Sequence, residues 1–179
     1  VEVFAAGVAA ALTGRVVAHI HGGDVTRGGY DESMRHALTK FAHLHFTATK
    51  NAKERVIKMG ENPKHVYCFG APGVDELLTL ASVRAADDTV LDRFGLKRRD
   101  YILLVQHSVS TEPDKARKQI DETLRAVHAL GRPVIAFYPN SDLGGVDIIA
   151  ALERAAKKDA NNFKLVKNLP RLEYLSLLA

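Results

Sequence analysis

The chain has 179 residues, is 46% apolar and carries a formal net charge of +4. With acids and bases interspersed, that composition describes an ordinary globular protein of one large or two small domains; it excludes a disordered chain and a basic stripe for nucleic acid. No stretch reaches the roughly 18 to 20 uninterrupted apolar residues of a membrane span, and the first residues carry neither a basic n-region nor a cleavage site, so a cytoplasmic protein with no membrane partner is expected.

The small apolar residues Val3 to Leu12 predict a buried helix stopped by Gly14. A short β-branched strand, Arg15 to Ile20, then runs into the polar cluster His19, His21, Gly22, Gly23, Asp24. Asp31 is placed to cap and charge a helix over Ser33 to Lys40, which is followed by a strand, Leu44 to Ala48. Thr49 caps the next helix, Lys50 to Met59; Gly60 ends it, Asn62-Pro63 turns the chain, and a strand, Val66 to Phe69, leads into Gly70-Ala71-Pro72-Gly73. The single cysteine, Cys68, lies in that apolar run and reads as a small hydrophobe rather than a nucleophile.

Residues 81–98, with a charged middle at Arg84 to Asp88, are expected to form a helical linker between domains at 1–80 and 99–179. The rhythm then restarts with a strand, Tyr101 to Val105, a helix, Asp114 to Leu130, and a strand, Val134 to Tyr138. A helix over Val146 to Lys157, a strand, Phe163 to Val166, and a last helix from Pro170 complete the chain. Strands alternating with helices predict an α/β protein with parallel sheets and crossover helices. Val1 leads directly into a helical pattern and Ala179 falls inside another, so the sequence reads as an internal portion of a longer chain.

In open parallel sheets, ligands bind outside the carboxyl ends of the strands. That rule selects four tips: His19 to Asp24, Gly70 to Gly73, Gln106-His107-Ser108, and Pro139-Asn140-Ser141-Asp142. His19 and His21, two apart, point to opposite faces of a strand, and only His21 and Asp24 are assigned to the site; a plain Gly-Gly-Asp turn is the alternative. Four-residue spacings put Asp31 with Arg35, and Glu32 with His36, on one helix face, read either as site groups or as a surface charge box. His43 and His45 read as structural. His107 follows a continuous apolar strand and precedes a hydroxyl-rich loop, where an imidazole can donate to a phosphoryl oxygen or move a proton. Asn140 suits recognition of a base or ribose, or is a simple Pro-Asn turn. A metal hydrolase using His19, His21, Asp24, His43 and His107 is the remaining alternative, although the spacing matches no specific ligand signature.

The stretch His19 to Leu78, HIHGGDVTRGGYDESMRHALTKFAHLHFTATKNAKERVIKMGENPKHVYCFGAPGVDELL, resembles the UDP-N-acetylglucosamine 2-epimerase family, and its hydrolysing, sialic- and legionaminic-acid branch best. LLVQHSVST at Leu103 to Thr111 and AFYPNSDLG at Ala136 to Gly144 extend the resemblance in the same order. The resemblance implies two Rossmann-like domains in a GT-B-like arrangement, each partly present here, with UDP-sugar in the cleft between them and neither metal nor nicotinamide cofactor. It implies loss of the C2 proton with elimination of UDP to a glycal, followed by hydration to the free 2-epimer. The substrate is UDP-N-acetylglucosamine or UDP-N,N'-diacetylbacillosamine, and a homodimer is implied; a non-catalytic nucleotide-sugar module is the alternative.

By position, Asp31 matches a catalytic acid of the family, His107 the histidine on the nucleotide diphosphate, and Asn140 a nucleotide-contacting asparagine. His36, His43 and His45 coincide with histidines of the animal relatives, and Ser108, His36 and Glu32 join the expected UDP-sugar contacts. His21 replaces a glutamate of the non-hydrolysing and animal enzymes, so either His21 serves as base or Asp24 supplies the carboxylate. The family's Gly-Asp-Arg stretch and Gly-Asn-Ser-Ser loop are expected outside this segment, which by itself is expected to bind UDP-sugar weakly and turn over little.

Overall fold

The computed structural model describes residues 1–26, 29–83 and 89–178. The chain divides into two compact units, Val1–Leu78 and Thr79–Ala179.

The first unit runs α1 (Glu2–Leu12), β1 (Ala18–Ile20), α2 (Asp31–Phe41), β2 (Leu44–Thr47), α3 (Lys50–Lys58), a 3-10 turn (Pro63–His65), β3 (Val66–Cys68) and the start of α4 (Pro72–Val83). Its strands form a parallel sheet in the order β1-β2-β3, with His19 opposite His45 and His45 opposite Val66. Alternation along each strand puts these residues on one face. Thr39 of α2 reaches His19 there, and Ala52 and Val56 of α3 are buried, as is Leu38 of α2. The opposite face aligns Ile20, Phe46 and Tyr67. There Phe46 and Tyr67 stack at 5.6 Å, Tyr67 and Phe69 also at 5.6 Å, and Phe69 is 74% exposed. The Thr49 side chain accepts from the Ala52 amide at 3.1 Å and so starts α3.

The expected burial of the first helix does not hold: α1 has no buried residue. Its alanines and glycine have little side chain to cover, and Gly7 is where it meets α2, with a Cβ there falling 2.4 Å from Leu38 Cδ1. The strand expected from Arg15 is also shorter, because pairing with β2 begins only at Ala18 opposite Leu44.

The second unit holds α5 (Thr89–Phe94), β4 (Ile102–Val105), a 3-10 turn (Pro113–Lys115), α6 (Ala116–Ala129), β5 (Val134–Phe137), α7 (Gly145–Lys158), β6 (Phe163–Val166) and α8 (Arg171–Leu178). Its parallel sheet has the order β4-β5-β6. All four residues of the central strand β5 are buried, as in a sheet covered on both faces. Val134 and Ala136 pack with Ile120 of α6 and Ile148 and Leu152 of α7. Ile135 and Phe137 pack with Val90 and Leu91 of α5 and Leu177 of α8. The charged middle of the expected linker, 84–88, lies outside the described residues. Val90, Leu91 and Leu96, also assigned to the linker by sequence, are buried in the second unit's core.

Gly23 seats the loop after β1 against α3. It has φ 79°, and a Cβ there would lie 2.4 Å from the Ala52 carbonyl oxygen and 2.9 Å from Val56 Cγ2. Gly14 has a similar φ of 72° but open space around it. Gly14→Ala should therefore cost about 1 to 2 kcal/mol from backbone strain alone. Gly23→Ala adds overpacking to the same strain and should cost about 2 to 4 kcal/mol. Urea midpoints of the two variants check the difference.

Candidate functional site

Parallel strands place their carboxyl ends at one edge of each sheet, so each unit presents its own cluster of polar loops.

In the first unit the cluster is built on the loop leaving β1. His21 adopts φ 64°, a left-handed conformation that costs a non-glycine residue free energy and marks a constrained site. Its amide donates to the Phe46 carbonyl of β2 at 2.9 Å. The chain then turns through Gly22 and Gly23, and His21 Nδ1 meets Asp24 Oδ2 at 2.9 Å. Arg55 of α3 donates to the Gly23 carbonyl, and Arg35 of α2 donates to the Asp24 carbonyl at 3.0 Å. Farther along, Glu32 accepts from the Thr26 amide at 3.1 Å and lies 3.8 Å from His36 Nε2.

Asp31 is the first residue of α2 rather than its cap, since Tyr30 takes the cap position without a side-chain bond. Its carboxylate is exposed. The ion pair with Arg35 that the four-residue spacing allows does not form; the guanidinium is bound to the Asp24 carbonyl instead. The structure thus brings His21 together with Asp24 and Glu32 with His36, and leaves Asp31 open to solvent at the amino end of α2.

Three other histidines of this unit, His19, His43 and His45, are structural in their contacts. His19 is buried, with Nδ1 3.3 Å from Thr39 Oγ1. Burial, reinforced by the nearby His45 and Arg35, drives its pKa down to about 4. His45 is buried beside Glu61, Nε2 to Oε2 3.3 Å, and Glu61 also pairs with Lys40. Burial holds the His45 pKa below its ordinary value against the opposing pull of Glu61. His43 Nδ1 accepts from the Val17 amide at 3.2 Å. Among the described residues, no group of three or more His, Cys, Asp or Glu is arranged to hold a metal ion. Cys68 is a free, half-buried thiol.

In the second unit, pairing of β4 with β5 sets their two tips side by side. The Asn140 amide donates to His107 Nδ1 at 3.1 Å. This bond fixes the neutral imidazole with its proton on Nε2, the orientation needed to donate to an anionic oxygen. Asn140 Nδ2 donates to Asp142 Oδ2 at 2.8 Å, and the Gly145 amide donates to the Asp142 carbonyl at 2.9 Å. Gly144, at φ 87°, starts α7, and a Cβ on it would crowd Ala116 Cβ at 2.9 Å and Ser108 Cβ at 3.3 Å. Ser108 is buried, and its hydroxyl has no hydrogen-bond partner.

Asp142 and Arg55 have no role assigned from sequence. Asp142 stood at a selected tip, and its acidity beside an amide was the available signal. Arg55 is 32 residues from the carbonyl it holds, and no local spacing links them.

The sequence model of the UDP-N-acetylglucosamine 2-epimerase family matches residues 1–179. The chain is 35% identical over 179 residues to the hydrolysing UDP-N,N'-diacetylbacillosamine 2-epimerase of Legionella pneumophila, covering 99% of this chain and 46% of that protein. It is 30% identical to the UDP-N-acetylglucosamine 2-epimerase of Neisseria meningitidis, covering 99% of this chain and 45% of that one. The chain thus spans about half the length of the curated relatives it matches. Its fold is that of the Neisseria meningitidis UDP-GlcNAc 2-epimerase solved bound to UDP-GlcNAc, with a TM-score of 0.78 at 17% identity over 98% of this chain and 48% of that one. The Methanocaldococcus jannaschii UDP-GlcNAc 2-epimerase in complex with UDP-GlcNAc and UDP gives a TM-score of 0.73 at 18% identity, over 98% of this chain and 49% of that one.

The buried His19 carries a pH signature. Its folded pKa, about 4, lies below the ordinary value of 6.5, so the unfolded chain binds the proton first. The stability it contributes is fully present above pH 6.5 and is lost as pH falls toward 4. His19→Gln should flatten this part of the stability curve, as read from urea unfolding at stepped pH.

Proposed function

The chain belongs to the UDP-N-acetylglucosamine 2-epimerase family, and on that premise we propose that the protein carrying it is a hydrolysing sugar-nucleotide 2-epimerase. It converts a UDP-N-acetylhexosamine to the free 2-epimer and UDP. The observation that carries this reading is the family match over the whole of residues 1–179. The polar loops at the strand ends fit the chemistry it requires.

The reaction removes the proton from sugar C2. The electrons of that C–H bond become the C1–C2 double bond while the C1–oxygen bond breaks and UDP leaves with its electron pair. Water then adds to the glycal, and C2 regains a proton on the opposite face. In this reading the first unit's loop works on the sugar, with the paired His21 and Asp24 and with Asp31 as its catalytic groups. Glu32 and His36, joined at 3.8 Å, line the same helix start and contact the substrate. In the second unit, His107 donates from Nε2 to the departing diphosphate, because Asn140 occupies Nδ1. Ser108 offers its unpartnered hydroxyl to the same oxygens, and the Asn140 amide side chain recognises the nucleotide. The reaction needs no metal or nicotinamide. The working protein is proposed to be a cytoplasmic homodimer serving sialic-acid-type sugar synthesis.

A second substrate is favoured by one comparison: the 35% identical Legionella pneumophila relative is a UDP-N,N'-diacetylbacillosamine 2-epimerase, so the diacetylated sugar is the alternative to N-acetylglucosamine.

Full-length protein given UDP-N-acetylglucosamine, and in parallel the diacetylbacillosamine analogue, should release UDP and free 2-epimer in equal amounts, with turnover unaffected by EDTA. No UDP release from any UDP-N-acetylhexosamine would defeat the reading. His107→Ala should lower kcat/KM by about 10²- to 10³-fold through loss of leaving-group stabilisation.

A further inference from the structure

The contact between His21 and Asp24 is held from several directions. The His21 backbone is fixed by its amide bond to Phe46 of β2. The Gly23 and Asp24 carbonyls are held by Arg55 of α3 and Arg35 of α2. Both arginines bind backbone oxygens, so neither competes for the Asp24 carboxylate, and that carboxylate faces His21 Nδ1 at 2.9 Å. The Gly23 contact with Ala52 and Val56 seats the intervening turn on α3. The His21 side chain remains 46% exposed, so the pair is fixed from below and open above.

We infer that Asp24 is the positioning residue for His21, and that His21 Nε2 is the atom that takes the proton from sugar C2. The inference rests on the epimerase reading. A carboxylate accepting from Nδ1–H fixes the imidazole in the tautomer whose lone pair is on Nε2, and it stabilises the imidazolium formed when that lone pair is used. His21 Nε2 forms the new N–H bond, the C2–H electrons pass into the C1–C2 double bond, and UDP departs with the C1–oxygen electrons. Asp24 keeps its charge throughout and exchanges no proton with substrate. This assigns different tasks to two residues that sequence alone left as alternative bases.

The two units also use imidazoles in complementary states. His107 receives an amide N–H on Nδ1 and presents a proton on Nε2. His21 faces a carboxylate at Nδ1 and presents a lone pair. One arrangement makes an acid and the other a base from the same side chain.

The test uses full-length enzyme and UDP-N-acetylglucosamine, or the diacetylated analogue if that is the better substrate. Asp24→Asn keeps the size of the side chain but offers an amide donor to Nδ1, which places the imidazole proton on Nε2 and removes the base. It should lower kcat by about 10²-fold, the scale of one general base, with KM within about twofold. Asp24→Glu should recover a substantial part of that loss. His21→Gln should lower kcat at least as far, and the double variant His21→Gln/Asp24→Asn should be no slower than His21→Gln alone, because the two residues act as a unit. Thermal unfolding of each variant separates chemistry from folding. An unchanged kcat for Asp24→Asn, a loss carried by KM or by unfolding, no recovery with glutamate, or additive losses in the double variant would each overturn the inference. A parent enzyme that releases no UDP would instead defeat the epimerase reading, before any variant is compared.

Discussion

Parallel strand pairing is the constraint on which the rest of the molecule depends. A parallel neighbour can be reached only by a crossover, so every strand of a unit ends at the same edge, and the loops leaving those ends are gathered without any contact designed for the purpose. In the first unit this gathers the turn after β1 with the start of α3, whose Ala52 carbonyl meets Gly23. In the second, four residue pairs from Ile102–Val134 to Val105–Phe137 carry the β4 and β5 tips out together. The Asn140 amide then meets His107 although the two are 33 positions apart.

Within that frame, burial divides the histidines by task. His19 and His45 lie on the helix-covered face of the first sheet, where the charged form of an imidazole loses its water. Their pKa values fall, and Thr39 and Glu61 give them neutral hydrogen-bond roles. His21 stands only two residues beyond His19, yet the left-handed turn of its backbone brings it out to Asp24. The same residue type is thus buried in the strand at His19 and exposed beside a carboxylate at His21, two residues later.

The alternation of strands and helices was legible because apolar runs such as Ile102 to Val105 and Val134 to Phe137 are short, uninterrupted and bounded by polar loops. The tips were legible because the rule for parallel sheets needs only the strand ends. Burial of α1 was misjudged because a run of small apolar residues looks the same whether both sides or one side of the helix finds a partner. The spacing of Asp31 and Arg35 reports only which side chains can meet, whereas Arg35 binds a carbonyl oxygen on the preceding loop. Arg55 was out of reach for the same reason: its partner, Gly23, is set by sheet order and not by any sequence interval.

Under the proposed mechanism, the His21–Asp24 pair also bears on why an imidazole would suit this position. A carboxylate becomes an effective base near neutral pH only when protein takes water away from it, which demands an enclosing pocket. An imidazole is matched to neutral pH while still in water, and needs only to be held in the right tautomer. The loop after β1 supplies that hold at short range: only Gly22 and Gly23 separate His21 from Asp24, and two arginines anchor the backbone beneath them. Such a base can work on a loop where His21 and Asp24 remain partly exposed. Under the proposed mechanism, proton abstraction would depend less on how deeply this unit encloses the sugar than on the stiffness of one glycine turn packed on α3.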